Sequence, residues 1–119
     1  MLSRQDIIDY CKKYENVYDD YPFGEDNNWL AMRLKQTKKC FIFIYERNNN
    51  VCINAKCDPM YSDFLREVYN KSITPAYHMN KKHWNTIVID GLVDDAEIYK
   101  LIDYAKSLVE NSNKKSCKI

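Results

Sequence analysis

Ile7, Ile8, Cys11 and Tyr14 recur at helical spacing in an otherwise polar segment, forming one stripe that a helix over about Arg4 to Tyr14 turns toward a core. Ser3, followed three residues later by Asp6, supplies its N-cap: a hydroxyl for an orphan backbone N–H and a carboxylate for the positive helix end. Asp19, Asp20, Pro22, Gly24, Asp26, Asn27 and Asn28 then read as a polar loop pinned by Tyr21 and Phe23. From Trp29 to Leu34, Cys40 to Glu46 and Val51 to Ala55 the period falls to two, as strands require. Strict alternation sets Cys40, Ile42 and Ile44 on one face of the second strand and Phe41, Phe43 and Tyr45 on the other. Such a strand is either covered on both sides or keeps an aromatic face for a partner. Arg47-Asn48-Asn49-Asn50 tolerates left-handed backbone and predicts a hairpin.

Asp58-Pro59 reads as N-cap and first turn of a second helix to about Tyr69, with Phe64, Leu65 and Val68 as its buried stripe. An irregular piece to Pro75 precedes a strand at Thr86 to Asp90, which Gly91 ends. Asp94 and Glu97 open a last helix in which Ile98, Leu101, Ile102, Ala105, Leu108 and Val109 keep the 3.6-residue period. The order α-βββ-α-β-α predicts an α+β, two-layer sandwich: an antiparallel meander sheet with the N- and C-terminal helices packed on one face. Residues 1–111 form a single domain, and residues 112–119 a flexible polar tail.

A chain of 119 residues with 45% hydrophobic residues and only 2 Gly and 3 Pro has room for one core and enough apolar surface to build it. The formal charge of +1 argues against binding a polyanion through net charge alone. Its distribution changes that picture. Residues 1–30 carry 3 basic and 7 acidic groups, residues 31–85 carry 10 and 4, and residues 86–119 carry 5 and 6. Arg33, Lys35, Lys38, Lys39, Lys81 and Lys82 fall in the basic centre, as a phosphate footprint or as a solvated face. The 5 cysteines have no C-x-x-C pair and make a poor disulfide framework. Cys11 and Cys40 suit a core, and Cys117 an exposed tail. With no apolar run of about 18 residues and no signal-like start, the expected compartment is a reducing cytoplasm, with no membrane partner.

Both histidines stand in Pro75-Ala76-Tyr77-His78-Met79-Asn80-Lys81-Lys82-His83-Trp84-Asn85-Thr86. His78 and His83 lack the further ligands a zinc site needs, and no nucleophile or orienting carboxylate adjoins them, so neither a metal nor catalysis is expected. Lysine, asparagine and histidine donors suit phosphate oxygens, and Tyr77 and Trp84 offer stacking faces. The alternative is structural, with Trp84 as a core plug and His78 as a loop tie. Asp19, Asp20, Glu25 and Asp26 could meet a hard cation but lack the spacing of a calcium loop, and a solvated loop is the simpler reading.

Tyr21-Pro22-Phe23, the Trp29 to Leu34 strand, Ala76 to Thr86, Ile89-Asp90-Gly91 and the closing Ser107-Leu108-Val109 together resemble the MmcQ/YjbR family of small bacterial proteins, over nearly the whole chain. The His78 to Thr86 string is the specific part. Tyr104-Ala105-Lys106-Ser107 departs from the serine-tyrosine pair typical of the closing helix. The resemblance implies a CyaY/frataxin-like sandwich and a non-enzymatic DNA-binding role with no cofactor, and carries that role onto His78, Asn80, Lys81, Lys82, His83, Trp84 and Asn85. With Arg33, Lys35, Lys38 and Lys39 these are the candidate nucleic-acid-binding residues, DNA the expected partner and a monomer the expected state. The alternative is a small-molecule or protein-interaction module using the aromatic face around Phe41, Phe43 and Tyr45. Iron handling by analogy of fold would need Asp6, Asp9, Asp19 and Asp20 to cluster.

Overall fold

In the computed structural model, which describes residues 1–24, 27–76 and 79–117 with side chains to residue 111, Ser3 caps α1 (Arg4–Lys12). Its Oγ accepts the Asp6 N–H at 3.0 Å while the Asp6 carboxylate accepts the Ser3 N–H at 2.9 Å, closing a capping box. The chain continues through β1 (Val17–Asp20), β2 (Leu30–Leu34), β3 (Cys40–Arg47), β4 (Asn50–Lys56), α2 (Pro59–Val68), β5 (Ile73–Pro75), β6 (Trp84–Val88) and α3 (Asp95–Cys117). Asn48 and Asn49, at φ 53° and 65°, make the left-handed pair of the predicted β3–β4 hairpin.

The strands form one six-stranded antiparallel sheet in the order β1-β2-β3-β4-β6-β5. With the helices it makes the expected α+β sandwich. Ile7, Ile8 and Cys11 of α1 and Ile98, Leu101 and Ile102 of α3 join one core cluster with Leu30, Met32, Ile42, Ile44, Ile53 and Ile87 of the sheet. The two terminal helices also meet each other, where the Tyr10 and Tyr99 rings stack at 4.0 Å.

Both edge strands, β1 and β5, lie where the sequence predicts irregular chain. Strand pairing with β2 overrides the poor propensity of Asp19 and Asp20, and each carboxylate meets a cation, Lys12 at 3.1 Å and Arg33 at 3.0 Å. β5 ends in Pro75, whose missing N–H is tolerated on an outer strand. At the other end of the chain, α3 continues to Cys117, through much of the expected tail. The Cys117 side chain lies outside the described residues.

The predicted faces of β3 need a correction at its start. Met32 stands opposite Ile42 but Arg33 stands opposite Cys40, so Phe41 is the extra residue of a bulge. The bulge exchanges two side chains: Phe41 enters the helix-side core, and Cys40 turns to the other face beside Phe43. The stripe of α2 is also different. Leu65 and Ser62 point inward, while Phe64 and Val68 are 58% and 54% exposed. α2 packs through the face that carries Ser62, Leu65 and Arg66, because those side chains meet the core and Asn85 of β6.

The bulge predicts unequal responses along β3. Phe41→Ala should cost about 3–5 kcal/mol in urea unfolding, and Phe43→Ala, which is half-buried, clearly less; similar losses at the two positions would restore strict alternation.

Candidate nucleic-acid interface

Antiparallel pairing sets one end of the sheet apart chemically. β2 leaves it at Leu34 and β3 returns at Cys40, through a turn in which Lys38 donates its N–H to the Leu34 carbonyl at 2.8 Å with φ 63°. Lys35, Lys38 and Lys39 on this turn are exposed. β4 finishes at the same end with Lys56, which pairs in register with Trp84, the first residue of β6. The β5–β6 connection therefore arrives here too. Lys39, Lys56, Met79 and Trp84 line one cavity of about 360 Å³, so the three connections meet around a shared space.

The β5–β6 connection is tied by its own polar groups. The Asn80 carboxamide oxygen accepts the Lys82 N–H at 3.0 Å, and the Asn80 carbonyl accepts the His83 N–H at 3.2 Å. The His83 carbonyl in turn accepts the Cys57 N–H at 2.9 Å, fastening the loop to the end of β4. Asn80, Lys81 and Lys82 are exposed and His83 is half-buried, while Tyr77 and His78 lie outside the described residues. Trp84 is buried, with its ring centroid 5.9 Å from that of Phe43 and the Lys56 ammonium 5.2 Å away over its face.

Strand alternation divides the rest of the string. Trp84 and Thr86 face away from the helices, and Asn85 faces them, 2% exposed. The Asn85 carboxamide accepts from Arg66 Nε at 2.8 Å and donates to Ser62 Oγ at 3.2 Å, and Arg66 also reaches the Lys81 carbonyl at 2.5 Å. Asn85 thus holds the loop to α2 and offers nothing to solvent. Arg33 is similarly engaged, with Asp20 at 3.0 Å and the Lys38 carbonyl at 3.0 Å. Of the sequence candidates, Lys35, Lys38, Lys39, Asn80, Lys81 and Lys82 share the exposed end. The sequence reading misses Lys56, which joins the site through the β4–β6 pairing, and it singles out the string that holds Met79 without naming that residue among the candidates.

The protein's own loop covers part of the aromatic face, closing it over Tyr45 and leaving Phe43 half-buried. Trp29 stacks on Tyr45 at 3.9 Å, Phe23 lies over Phe43, and Phe41 points the other way. Beneath them the Tyr45 hydroxyl donates to Asn54 Oδ1 at 2.8 Å, and Thr86 Oγ1 donates to the same oxygen at 2.6 Å. This buried network gives the face a fixed polar centre. A second hollow, about 480 Å³, adjoins the first across Met79 and is lined by Arg47, Thr74, Lys81 and Thr86.

Burial pushes the Cys40 thiol up to about 12, so it stands as a neutral wall rather than a thiolate. Among the described residues no His, Cys, Asp and Glu side chains gather in a group of three or more that could hold a metal ion. The acidic residues considered for iron are individually engaged: Asp6 in the α1 cap, Asp9 with Gln5, Asp19 with Lys12 and Asp20 with Arg33. Glu25 and Asp26 lie outside the described residues. No helix among the described residues is long and apolar enough to cross a membrane.

Scaffold and surface positions of the string should separate in stability. Asn85→Ala leaves Ser62 and Arg66 short of a buried partner and should cost about 1–3 kcal/mol, whereas Lys82→Ala should stay within about 0.5 kcal/mol; chemical denaturation of both variants measures the difference.

The YjbR family model matches residues 12–105. The uncharacterised protein YyaQ of Bacillus subtilis is 32% identical, over 92% of this chain and 100% of its own length. The uncharacterised protein YjbR of Escherichia coli K12 is also 32% identical, over 86% of this chain and 82% of its own length. Among solved structures, protein DR2400 of Deinococcus radiodurans, described as a DUF419 domain, superposes with a TM-score of 0.83 at 26% identity. That match covers 92% of this chain and 79% of the other. A Pseudomonas syringae protein superposes at 0.74 with 27% identity, over 87% and 96% of the two chains. The family model spans most of the chain and the curated relatives match it over most of their own length, and the chain belongs to the YjbR family.

Proposed function

We propose that this is a non-enzymatic, cytoplasmic DNA-binding protein that holds the phosphate backbone at the basic end of its sheet. The observation that carries the reading is the convergence there of Lys35, Lys38 and Lys39 from one turn, Lys56 from β4 and Lys81 and Lys82 from the β5–β6 loop. A near-neutral chain can bind a polyanion when its cations are concentrated in this way, since screening limits useful attraction to about 8–10 Å. Lysine ammonium groups are point charges suited to phosphate oxygens, which supplies affinity without a choice of sequence. Asn80 and His83 add hydrogen-bonding groups beside them, and Trp84 and Asn85 serve as the frame that fixes the loop. The four described cysteines, Cys11, Cys40, Cys52 and Cys57, are free thiols, which suits a reducing compartment.

Fluorescence anisotropy of labelled duplex and single-stranded DNA, at about 50 and 200 mM salt, tests this. Saturable binding that weakens steeply with salt is expected. The Lys81→Ala/Lys82→Ala protein should bind more weakly, with its log–log salt slope reduced by about 0.9 for each phosphate it no longer neutralises. No binding at low salt, or a folded double variant with the parent's affinity and slope, overturns the reading.

A further inference from the structure

The cavity at the basic end has a lining that phosphate binding alone does not account for. Its volume of about 360 Å³ falls within the ~300–1,000 Å³ of typical small-molecule sites. Phe43, Met79, Trp84 and Leu108 give it apolar walls on several sides, and the two charged residues that line it, Lys39 and Lys56, carry the same sign. Cys40 adds no opposing charge, since its thiol is turned to the Ile42 carbonyl at 3.1 Å. Ammonium groups of one sign at the rim of an apolar hollow favour an occupant that brings a counter-charge, because it adds an attraction that a neutral guest lacks. A bare phosphate would satisfy the lysines and leave the aromatic and aliphatic walls unused.

We propose that this cavity binds a free organic monocarboxylate with an apolar body, its chain or ring against Trp84, Phe43 and Leu108 and its acid group between Lys39 and Lys56. The cavity shares Lys39 and Lys56 with the proposed DNA surface but adds apolar walls, and Lys81 and Lys82 of the outer loop are not part of its lining.

Two fluorescent probes with nearly the same body separate the acid group from the apolar walls. 8-Anilinonaphthalene-1-sulfonate carries the anion, and N-phenyl-1-naphthylamine lacks it. On protein shown to unfold cooperatively, the sulfonate should bind saturably at one site and the neutral probe roughly tenfold more weakly, a difference of about 1.4 kcal/mol. Decanoate should displace the sulfonate in a saturable way. Lys39→Ala/Lys56→Ala should remove the preference for the anion, Leu108→Trp should weaken both probes by filling the space, and Lys81→Ala/Lys82→Ala should change neither. Equal binding of the two probes, failure of decanoate to compete, or an unchanged preference in the Lys39→Ala/Lys56→Ala protein overturns the proposal. If Leu108→Trp does not fold, the variant at exposed Lys39 and half-buried Lys56 still decides, its cooperative unfolding being checked first. A protein that passes these tests and ignores DNA would sink the DNA reading and leave this one standing.

Discussion

Pairing of β4 with β6, from Cys52 opposite Val88 to Lys56 opposite Trp84, holds together segments that the chain separates by α2 and β5. Its register is set by burial. Ile53 faces Ile87 on the helix side, and both are almost wholly enclosed, while Asn54 faces Thr86 on the other side in a closed hydrogen-bonded group. A slip of one residue would drive the amide and hydroxyl into the aliphatic core and turn the isoleucines outward. Because that register is costly to change, Lys56 must stand over Trp84, and the β5–β6 loop must arrive beside the β2–β3 turn. The basic end is a consequence of this ladder.

The two faces of the sheet do different work. The helix side is a continuous aliphatic layer closed by α1 and α3, whose burial is the main favourable term in folding. The other side is built from rings and a polar centre, with Trp29 on Tyr45 and a shared acceptor at Asn54. The bulge at Phe41 joins the two regimes, since it gives the core one more large side chain and frees Cys40 for the opposite wall. Asn85 shows the same division at the level of one motif: its neighbours Trp84 and Thr86 serve the loop face, and it serves α2.

Local concentration of charge matters more here than the total. Several carboxylates of the acidic N-terminal part are engaged with cations or caps, as in Asp19 with Lys12 and Asp20 with Arg33. Such exposed pairs add little stability, about 0–1 kcal/mol each. Their larger effect is on the field, because they consume Arg33 and leave the lysines of the sheet end as the available cations. Those lysines surround an apolar hollow, so one surface combines attraction for anions with a place for an apolar group.

By itself the sequence determined the features governed by a few adjacent residues. Ser3 and Asp6 capped α1, Asp58-Pro59 opened α2, Asn48-Asn49 closed the hairpin, and the period from Ile98 to Val109 placed α3. The lysines of the site were legible as a basic centre, and the Ala76 to Thr86 string marked the family. Tertiary structure decided what depends on partners distant in the chain. β1 and β5 exist because β2 and β6 offer them edges. Phe41 and Cys40 exchange faces because the β2–β3 register slips. Phe64 and Val68 are left outside because Ser62, Leu65 and Arg66 hold the inner side of α2. Lys56 became part of the site only through pairing with a strand that begins at Trp84. Caps and periodicity act across one or two turns, whereas faces, edges and pockets are set by which surfaces the fold buries together, and that information is not local.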